Sequence, residues 1–565
     1  MLLLVLQLVA VYAFSKVLWT AIRKRINPSV LDNLRGPAPS SFLTGCMEQL
    51  HDKNTGWAYH QDIAAKFGGV MKIKSLFGED QIYTFDPKAM HHIFVKDQNI
   101  YEEPPFFISM ASTGADEPNI YVGDQHRKQR KMLNPVFSIA HMRDMVPMFY
   151  DVTYKLQQLI AKKVGTSPQE VDLASYLSRI ALELIGQAGI GHSFDTFEGD
   201  EPTHPYAKAA AGFMPGFYPL RFVAPLAAPL VFKYGNLKFC RFVMDLLPYK
   251  ALHDFRDIID VMDQTSREIY AQKKQALACG DEALKTKIGE GKDVMSILMR
   301  ANMSASEDDS LSESELLGQM TCVHPLAFVI TKSTSHIPNS TLIFAAMDTT
   351  SNALSRVFHL LAQSPDVQER LRREIVEARE QNGGKDMPYE ILVSLPYLDA
   401  VCRETLRLYA PTSLARRKTL QDVVLPLSKP VQGLDGKEIT EIPLQKDTEI
   451  LISLMSSNKN PEIWGPDANE WKPERWLSQL PESVKAAQIP GVYSHLMTFI
   501  GGGRSCIGFK FSQLEMKVVI CLLIEAFRFS LSKQDIIWHM NPVASPTIKG
   551  NNSLVPVLPI VVERV

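Results

Sequence analysis

The chain has 565 residues, 45% of them hydrophobic, which is ample for a large buried core. Its 60 basic and 62 acidic residues leave a formal net charge of −2, and so balanced a chain offers no bulk electrostatic reason to bind nucleic acid. Seven cysteines, at 46, 240, 279, 322, 402, 506 and 521, make no CxxC pair or metal-finger spacing, which argues against a disulfide framework and for a reducing compartment.

Residues 2–21, LLLVLQLVAVYAFSKVLWTA, are long and apolar enough for a helix that crosses a bilayer, which takes about 20 residues. Lys16 is the one charge and can snorkel to an interface. Arg23, Lys24 and Arg25 follow, and basic residues after a first apolar span favour leaving the next part of the chain in the cytosol. No basic region precedes the run and no small-x-small site ends it, so an anchor is preferred to a cleaved signal. Residues 1–25 are therefore expected to be a transmembrane anchor. Residues 26–45, with Pro37 and Pro39, are expected to be a stiff hinge, and 46–565 one large domain.

Residues 69–85 are rich in β formers, among them Val70, Ile73, Ile82, Tyr83 and Phe85. From Phe137 onward helical spacing dominates: 140–163, 254–278 and 366–380 carry apolar residues three and four apart with charges between them. The stretch 205–252, rich in Phe, Leu, Ala and Pro, reads either as a pair of core helices or as an apolar lip resting on a membrane. After Pro411 short β-like runs extend to about Asn458. No internal repeat or low-complexity linker appears. The expected fold class is mainly α with a small β portion.

The decisive chemistry lies in Phe499-Ile-Gly-Gly-Gly-Arg-Ser-Cys506-Ile-Gly508. These residue types answer to one task, holding a thiolate close beneath a flat macrocycle. Gly501, Gly502 and Gly503 supply unusual backbone angles and room. Arg504 can pair with an anionic propionate. Gly508 permits close packing where a helix begins, and Phe511, Leu514, Val518 and Leu522 predict that this helix is amphipathic. Its N-terminal amides and dipole stabilise negative charge on sulfur, and a thiolate ligand pushes electron density to iron. A lone cysteine is more often a buried structural residue, and a triple-glycine loop also reads as a phosphate cradle. The full spacing F-x-x-G-x-R-x-C-x-G fits haem at every fixed position.

This loop resembles the haem-binding signature of the cytochromes P-450, and further motifs stand in that family's order. His126-Arg-Lys-Gln-Arg130 lies where the family has an aromatic-x-x-x-Arg near a helix start. The resemblance implies that His126 and Arg130 reach haem propionates from one helix face, with His126 a departure from the commoner Trp. Ala345-Ala-Met-Asp-Thr-Thr350 resembles the oxygen-activation motif of the long central helix, with Ala346 where Gly is more usual. There Asp348 would relay protons and the Thr349 hydroxyl would hold a water or the distal oxygen. Glu404-Thr-Leu-Arg407 is the family's E-x-x-R. With Arg475 of Pro473-Glu-Arg-Trp476 it implies a Glu–Arg–Arg cluster that holds the haem-side core and is not catalytic. Arg417 is the expected further propionate partner, with Arg416 its competitor. Phe106, Phe107, Leu414 and Ile548 are pocket-wall candidates by family position alone. HRKQRKMLNPVFS and GGGRSCIGFKFSQLEMK look most like fungal members, especially those of basidiomycetes.

One segment departs from the pattern. Joining Thr321 directly to Thr341 gives a single helix entering the oxygen motif, with Ser312 and Glu315 as its capping box. Residues 322–340 instead carry Pro325 and Pro338, and a proline inside a helix costs about 3 kcal/mol. The segment reads as a natural loop insertion or, preferably, as a retained intron or other gene-model error.

The resemblance implies a cytochrome P-450 fold behind a transmembrane helix, and haem b held by Cys506 with Phe499, Arg504 and Gly508 in its loop. It implies a monooxygenase that uses O2 and electrons from NADPH through a separate flavoprotein reductase, since no flavin or dinucleotide fingerprint is evident. The expected substrate is an apolar small molecule, terpenoid-like and of secondary metabolism. The expected location is the endoplasmic reticulum membrane, single-pass, in contact with lipid and with the catalytic domain cytosolic. Two other classes compete: a haem-thiolate enzyme that rearranges peroxides without a reductase, which would lack the Asp348–Thr349 pair, and a non-catalytic haem protein.

Overall fold

The computed structural model describes residues 30–104, 124–220, 237–279, 292–303, 342–551 and 553–565, with the single positions 11, 15 and 22. Among the described residues the longer helices are, in chain order, α1 (Gly56–Phe67), α2 (Asp124–Leu133), α3 (Ile139–Val164), α4 (Leu173–Ile185), α5 (Pro205–Phe217), α6 (Leu237–Leu246), α7 (Lys250–Ala278), α8 (Val294–Met303), α9 (Leu342–Gln363), α10 (Pro365–Gln381), α11 (Pro396–Leu408) and α12 (Phe509–Ala526). The strands are β1 (Val70–Lys74), β2 (Asp80–Thr84), β3 (Tyr101–Glu102), β4 (Gln169–Asp172), β5 (Leu414–Thr419), β6 (Val423–Gln432), β7 (Glu438–Leu444), β8 (Glu449–Ser453), β9 (Phe527–Leu531), β10 (Ile536–His539), β11 (Ser545–Ile548) and β12 (Pro559–Arg564). This is the mainly helical architecture, with a small β portion, that the sequence predicts.

Local signals account for the element ends. Ser138 caps α3 by accepting from the His141 N–H. Pro365 and Pro396 open α10 and α11, where the missing N–H has no intrahelical partner to lose. The β-rich run at 69–85 folds as the antiparallel pair β1–β2. Parallel pairing of β2 with β8 extends this pair into a sheet of order β1-β2-β8-β5-β3. Arg35 O accepts from Lys72 N at 2.9 Å and Lys74 O from Cys46 N at 2.8 Å, so the proline-bearing run at 35–39 lies along β1.

The core gathers around α12, where one expectation fails. Phe511, Leu514, Val518 and Leu522 are buried as their spacing requires, but so are Gln513, Glu515 and Lys517. The helix is enclosed on all sides rather than amphipathic. Lys517 is satisfied by Asp399 at 2.8 Å, whereas both Glu515 oxygens lack a hydrogen-bond partner. Burial pushes the Glu515 pKa well up.

The stretch 205–252 is part buried helix and part exposed. In α5, Tyr206, Phe213 and Phe217 are buried, Phe213 and Phe217 against Phe255 of α7. In and just after α6, Phe242, Leu246, Leu247 and Tyr249 are exposed. Among the described residues no helix is long and apolar enough to cross a membrane. The expected anchor at 1–25 lies almost wholly outside them, as do Phe106, Phe107 and all of 322–340.

Candidate active site

The loop before α12 is tight because two of its glycines let backbone pass against backbone and the third, Gly503, meets the Gln98 side chain. A Cβ on Gly501 would fall 1.5 Å from the Pro490 carbonyl oxygen, and one on Gly502, at φ +69°, 1.7 Å from that of Phe94. Ile500 takes φ +46°, a conformation costly for a β-branched residue and tolerated where function needs it. Cys506 N donates to Phe499 O at 3.0 Å and Ser505 N to Gly502 O at 3.1 Å, which fixes the turn that presents the cysteine. Phe499 is itself held by Tyr493 and Phe509, with ring centroids at 5.6 and 6.0 Å.

Cys506 is a free, exposed thiol, yet burial raises its pKa. The Gly508 N–H and the positive charge of Arg130 pull the pKa the other way, favouring thiolate. A Cβ on Gly508 would meet nothing within 4 Å, so the close packing expected there is not against protein; the residue borders open space.

A cluster of donors surrounds this loop. Arg130 donates to the Ser505 carbonyl and, at 3.3 Å, to its hydroxyl. His126, on the same face of α2, is held down to about pKa 4 by burial and by the charges of Arg504 and Arg130. It is therefore a neutral imidazole that still offers an N–H. Arg504 pairs with Glu102 of β3 at 2.7 Å. Strand alternation decides between the neighbouring arginines of β5. Arg417 faces this cluster, 3.6 Å from Glu103 and 4.9 Å over the Phe94 ring, while Arg416 points the other way to His51 at 2.8 Å. Arg417 is 4% exposed and its Nη2 has no hydrogen-bond partner. An orphaned guanidinium N–H, two further arginines and an imidazole N–H beside a thiol form a donor set for carboxylates next to an axial sulfur. That set fits the propionates and iron of haem.

On α9, Ala345 is exposed and Thr349 half-exposed although most of the helix is buried, so this face borders open space. Thr349 Oγ1 donates to Ala345 O one turn back, leaving its lone pairs free to accept. Asp348 opens elsewhere, into a small cavity lined also by Met214 and Tyr218 near α5, Asn352 on α9, and Asn541 and Ser545 of the β10–β11 hairpin. Burial alone raises Asp348 to about 7. α9 packs against α12, which places both motifs on neighbouring elements.

The E-x-x-R pair is a buried hub. Glu404 and Arg407 are bidentate, both contacts at 2.8 Å, and both residues are 0% exposed. Arg475 reaches Glu404 at 3.3 Å and Asp467 at 2.9 Å, and Trp476 Nε1 donates to Glu404 at 2.9 Å. Arg407 also donates to the carbonyls of Asn458, Ala468 and Glu470, tying α11 to the segment leading to the cysteine loop.

Sequence reading missed Gln98, whose Oε1 accepts from Gly503 N at 2.7 Å, and the acids Glu102 and Glu103. Each meets its partner across a gap of hundreds of residues, and no local pattern marks them. Leu414 and Ile548 are half-buried and line no part of the cavity at Asp348; its hairpin wall is Asn541–Val543 and Ser545.

Comparison with known proteins agrees with this geometry. The model of the cytochrome P-450 family matches residues 35–324 and 336–551. Cytochrome P-450 monooxygenase 91 of Postia placenta is 47% identical, over 95% of this chain and 94% of its own length. A ganoderic acid synthetase of Ganoderma lucidum is 43% identical over 97% of each, and a cytochrome P-450 monooxygenase of Hericium erinaceus 35% identical over 95% and 94%. With its thiol loop, donor cluster and buried Glu–Arg hub in family order, the chain belongs to the cytochrome P-450 family, as a monooxygenase that binds haem b through a cysteine thiolate.

Proposed function

We propose that Cys506 is the axial thiolate of haem b, that His126, Arg130, Arg417 and Arg504 hold the propionates, and that Phe499 and Gly508 shape the loop beneath the ring. The observation that carries this reading is the exposed Cys506 thiol, flanked by the Gly508 N–H and the Arg130 charge, beside an orphaned Arg417 N–H. When bound, haem supplies reductive activation of O2 and insertion of oxygen into an apolar C–H bond. The protein positions and insulates. Thr349 offers hydroxyl lone pairs on the open face of α9, and Asp348, near half-protonated at neutral pH, gives up a proton and regains it from its own cavity. Glu404, Arg407 and Arg475 lock the frame and touch no reacting atom. In Cys506→Ser the red-shifted carbon monoxide difference band of a thiolate haem disappears; retention of that band would overturn the assignment.

The finer reading is that electrons come from NADPH through a flavoprotein reductase at the endoplasmic reticulum membrane, with residues 1–25 as a single-pass anchor and the catalytic domain in the cytosol. The substrate is an apolar, terpenoid-like secondary metabolite. The apolar run at 2–21 with its basic stop supports the anchor. The relative named a ganoderic acid synthetase supports the substrate class. A host expressing the chain with a reductase should accumulate an oxidised terpenoid absent from the empty host; new products confined to other chemical classes would refute the substrate class.

A further inference from the structure

Downstream of Thr349 on α9 stands a cation that the chemistry above does not use. Arg356 is 9% exposed, and its guanidinium lies against two rings, with Cζ 3.4 Å from the ring centre of Trp538 and 4.1 Å from that of Tyr409. Among the described residues it has no acid partner, and its Nε is buried with no hydrogen-bond partner. Lys459 places its ammonium 5.2 Å from the same Tyr409 ring, also without an acid partner among the described residues. Two cations thus share one aromatic ring. The other polar groups around them supply no counter-charge. Arg407 is positive and already matched by Glu404. His359, stacked on Trp538 and accepting its indole N–H at 3.0 Å, is held down to about 4 by burial and by Arg356 and is neutral.

Ring faces attract cations, but two neutral rings supply no counter-charge for two partly desolvated like charges. The imbalance shows in the groups themselves. Burial pulls Arg356 down, and burial with Arg356 and Arg407 pulls Lys459 down to about 8. Both rings lie close to the Arg356 guanidinium, and its planar N–H fork matches two oxygens of one anion. Lys459 is only half-buried and gives the side from which a solvent ion arrives.

We propose that Arg356 and Lys459, bridged by Tyr409 and closed by Trp538, form a binding site for a small inorganic oxyanion of the sulfate or phosphate class. The site is separate from the Cys506 loop and does not depend on the reading of that loop. The bound ion neutralises the cation pair and fastens the β10–β11 hairpin, through Trp538, to α9 and to the turn after α11. That hairpin also walls the Asp348 cavity, so occupancy stiffens the cavity without supplying any reacting group.

The test uses the full-length, haem-loaded protein dialysed into anion-poor buffer. Thermal unfolding is followed while phosphate replaces chloride at constant ionic strength, and crystals are soaked in selenate. The expected result is a saturable rise in melting temperature that is lost in Lys459→Met, with an anomalous selenium peak between Arg356 and Lys459. Lys459 is partly exposed, so this variant tests the site even if Arg356→Met fails to fold. A rise that never saturates, an equal rise in Lys459→Met, or the absence of selenium at Arg356 would each overturn the proposal.

Discussion

Asp348 and Thr349 are adjacent in sequence, yet a helical step of about 100° turns them to different spaces. Thr349 shares the open face with Ala345, while Asp348 looks into a cavity shared with α5 and the C-terminal hairpin. The relay proposed for this pair therefore has to connect the two spaces. Their residue types were legible from the motif; the separate cavity was not, because its far wall comes from Asn541 and Ser545. In Thr349→Ala, haem binding should persist while product per NADPH consumed falls roughly tenfold or more, the deficit appearing as peroxide. Asp348→Asn should lose turnover similarly, and its effect on stability has a definite sign. The carboxyl has its pKa raised from 3.8 to about 7, so the folded state holds its proton more tightly than the unfolded chain. Wild-type stability therefore declines as pH rises between these values, and Asn does not share that decline. The melting temperature of Asp348→Asn should exceed that of wild type by a margin that grows from about pH 5 to about pH 8. A margin that is flat or shrinks with pH would show that Asp348 is not the buried acid responsible.

At the scale of elements, the sequence reveals pairs within one helix and conceals partners between elements. The three-residue step from Glu404 to Arg407 predicts their contact on α11, and the structure has it. That Asp467, Trp476 and the Asn458 carbonyl complete the hub follows only from how the chain folds back. Strand alternation separates Arg417 from Arg416, but which face meets the cysteine loop is set by pairing of β5 with β3, where Glu102 lies opposite Lys418. α12 shows the opposite failure: its apolar stripe is real, and the rest of its surface is buried as well, because α3, α9, α10 and α11 all pack on it. Glu404→Ala leaves Arg407 and Arg475 without their shared carboxylate in a fully buried site, with only Asp467 and backbone carbonyls left to them. It should destabilise the fold by about 3–5 kcal/mol and weaken haem retention. The measurements are urea unfolding and the haem-to-protein ratio after purification. A loss of haem without loss of stability would mean that Glu404 acts at the cofactor and not through the frame.

For the whole molecule, what remains to be tested lies at two segments. Deleting residues 1–25 should move the protein to the soluble fraction with its thiolate spectrum intact, since every site residue lies beyond them. If the truncated protein stays in membranes, the exposed apolar residues Phe242, Leu246, Leu247 and Tyr249 name the next segment to alter. The second segment is 322–340. Its two prolines conflict with the helical signals on either side, and conflict between local and global preference marks a sequence that does not serve one fold. The family match supports the same reading, for it breaks between 324 and 336, inside this segment, and resumes before the oxygen motif. Joining Thr321 to Thr341 would let one helix run into α9, each added residue extending it by about 1.5 Å. Loop closure adds to the effect only weakly, because its entropic cost grows slowly with length; the larger gain is expected from continuous helical hydrogen bonds in place of a sequence with two prolines. The chain lacking 322–340 should therefore load haem more completely and melt several degrees higher, a shift of about 2–4 °C corresponding to about 1 kcal/mol even in a domain half this size. Sequencing of mature transcripts provides the independent check. Dominant messages that encode the full segment, together with equal haem loading and melting temperature of the two proteins, would establish 322–340 as part of the working enzyme.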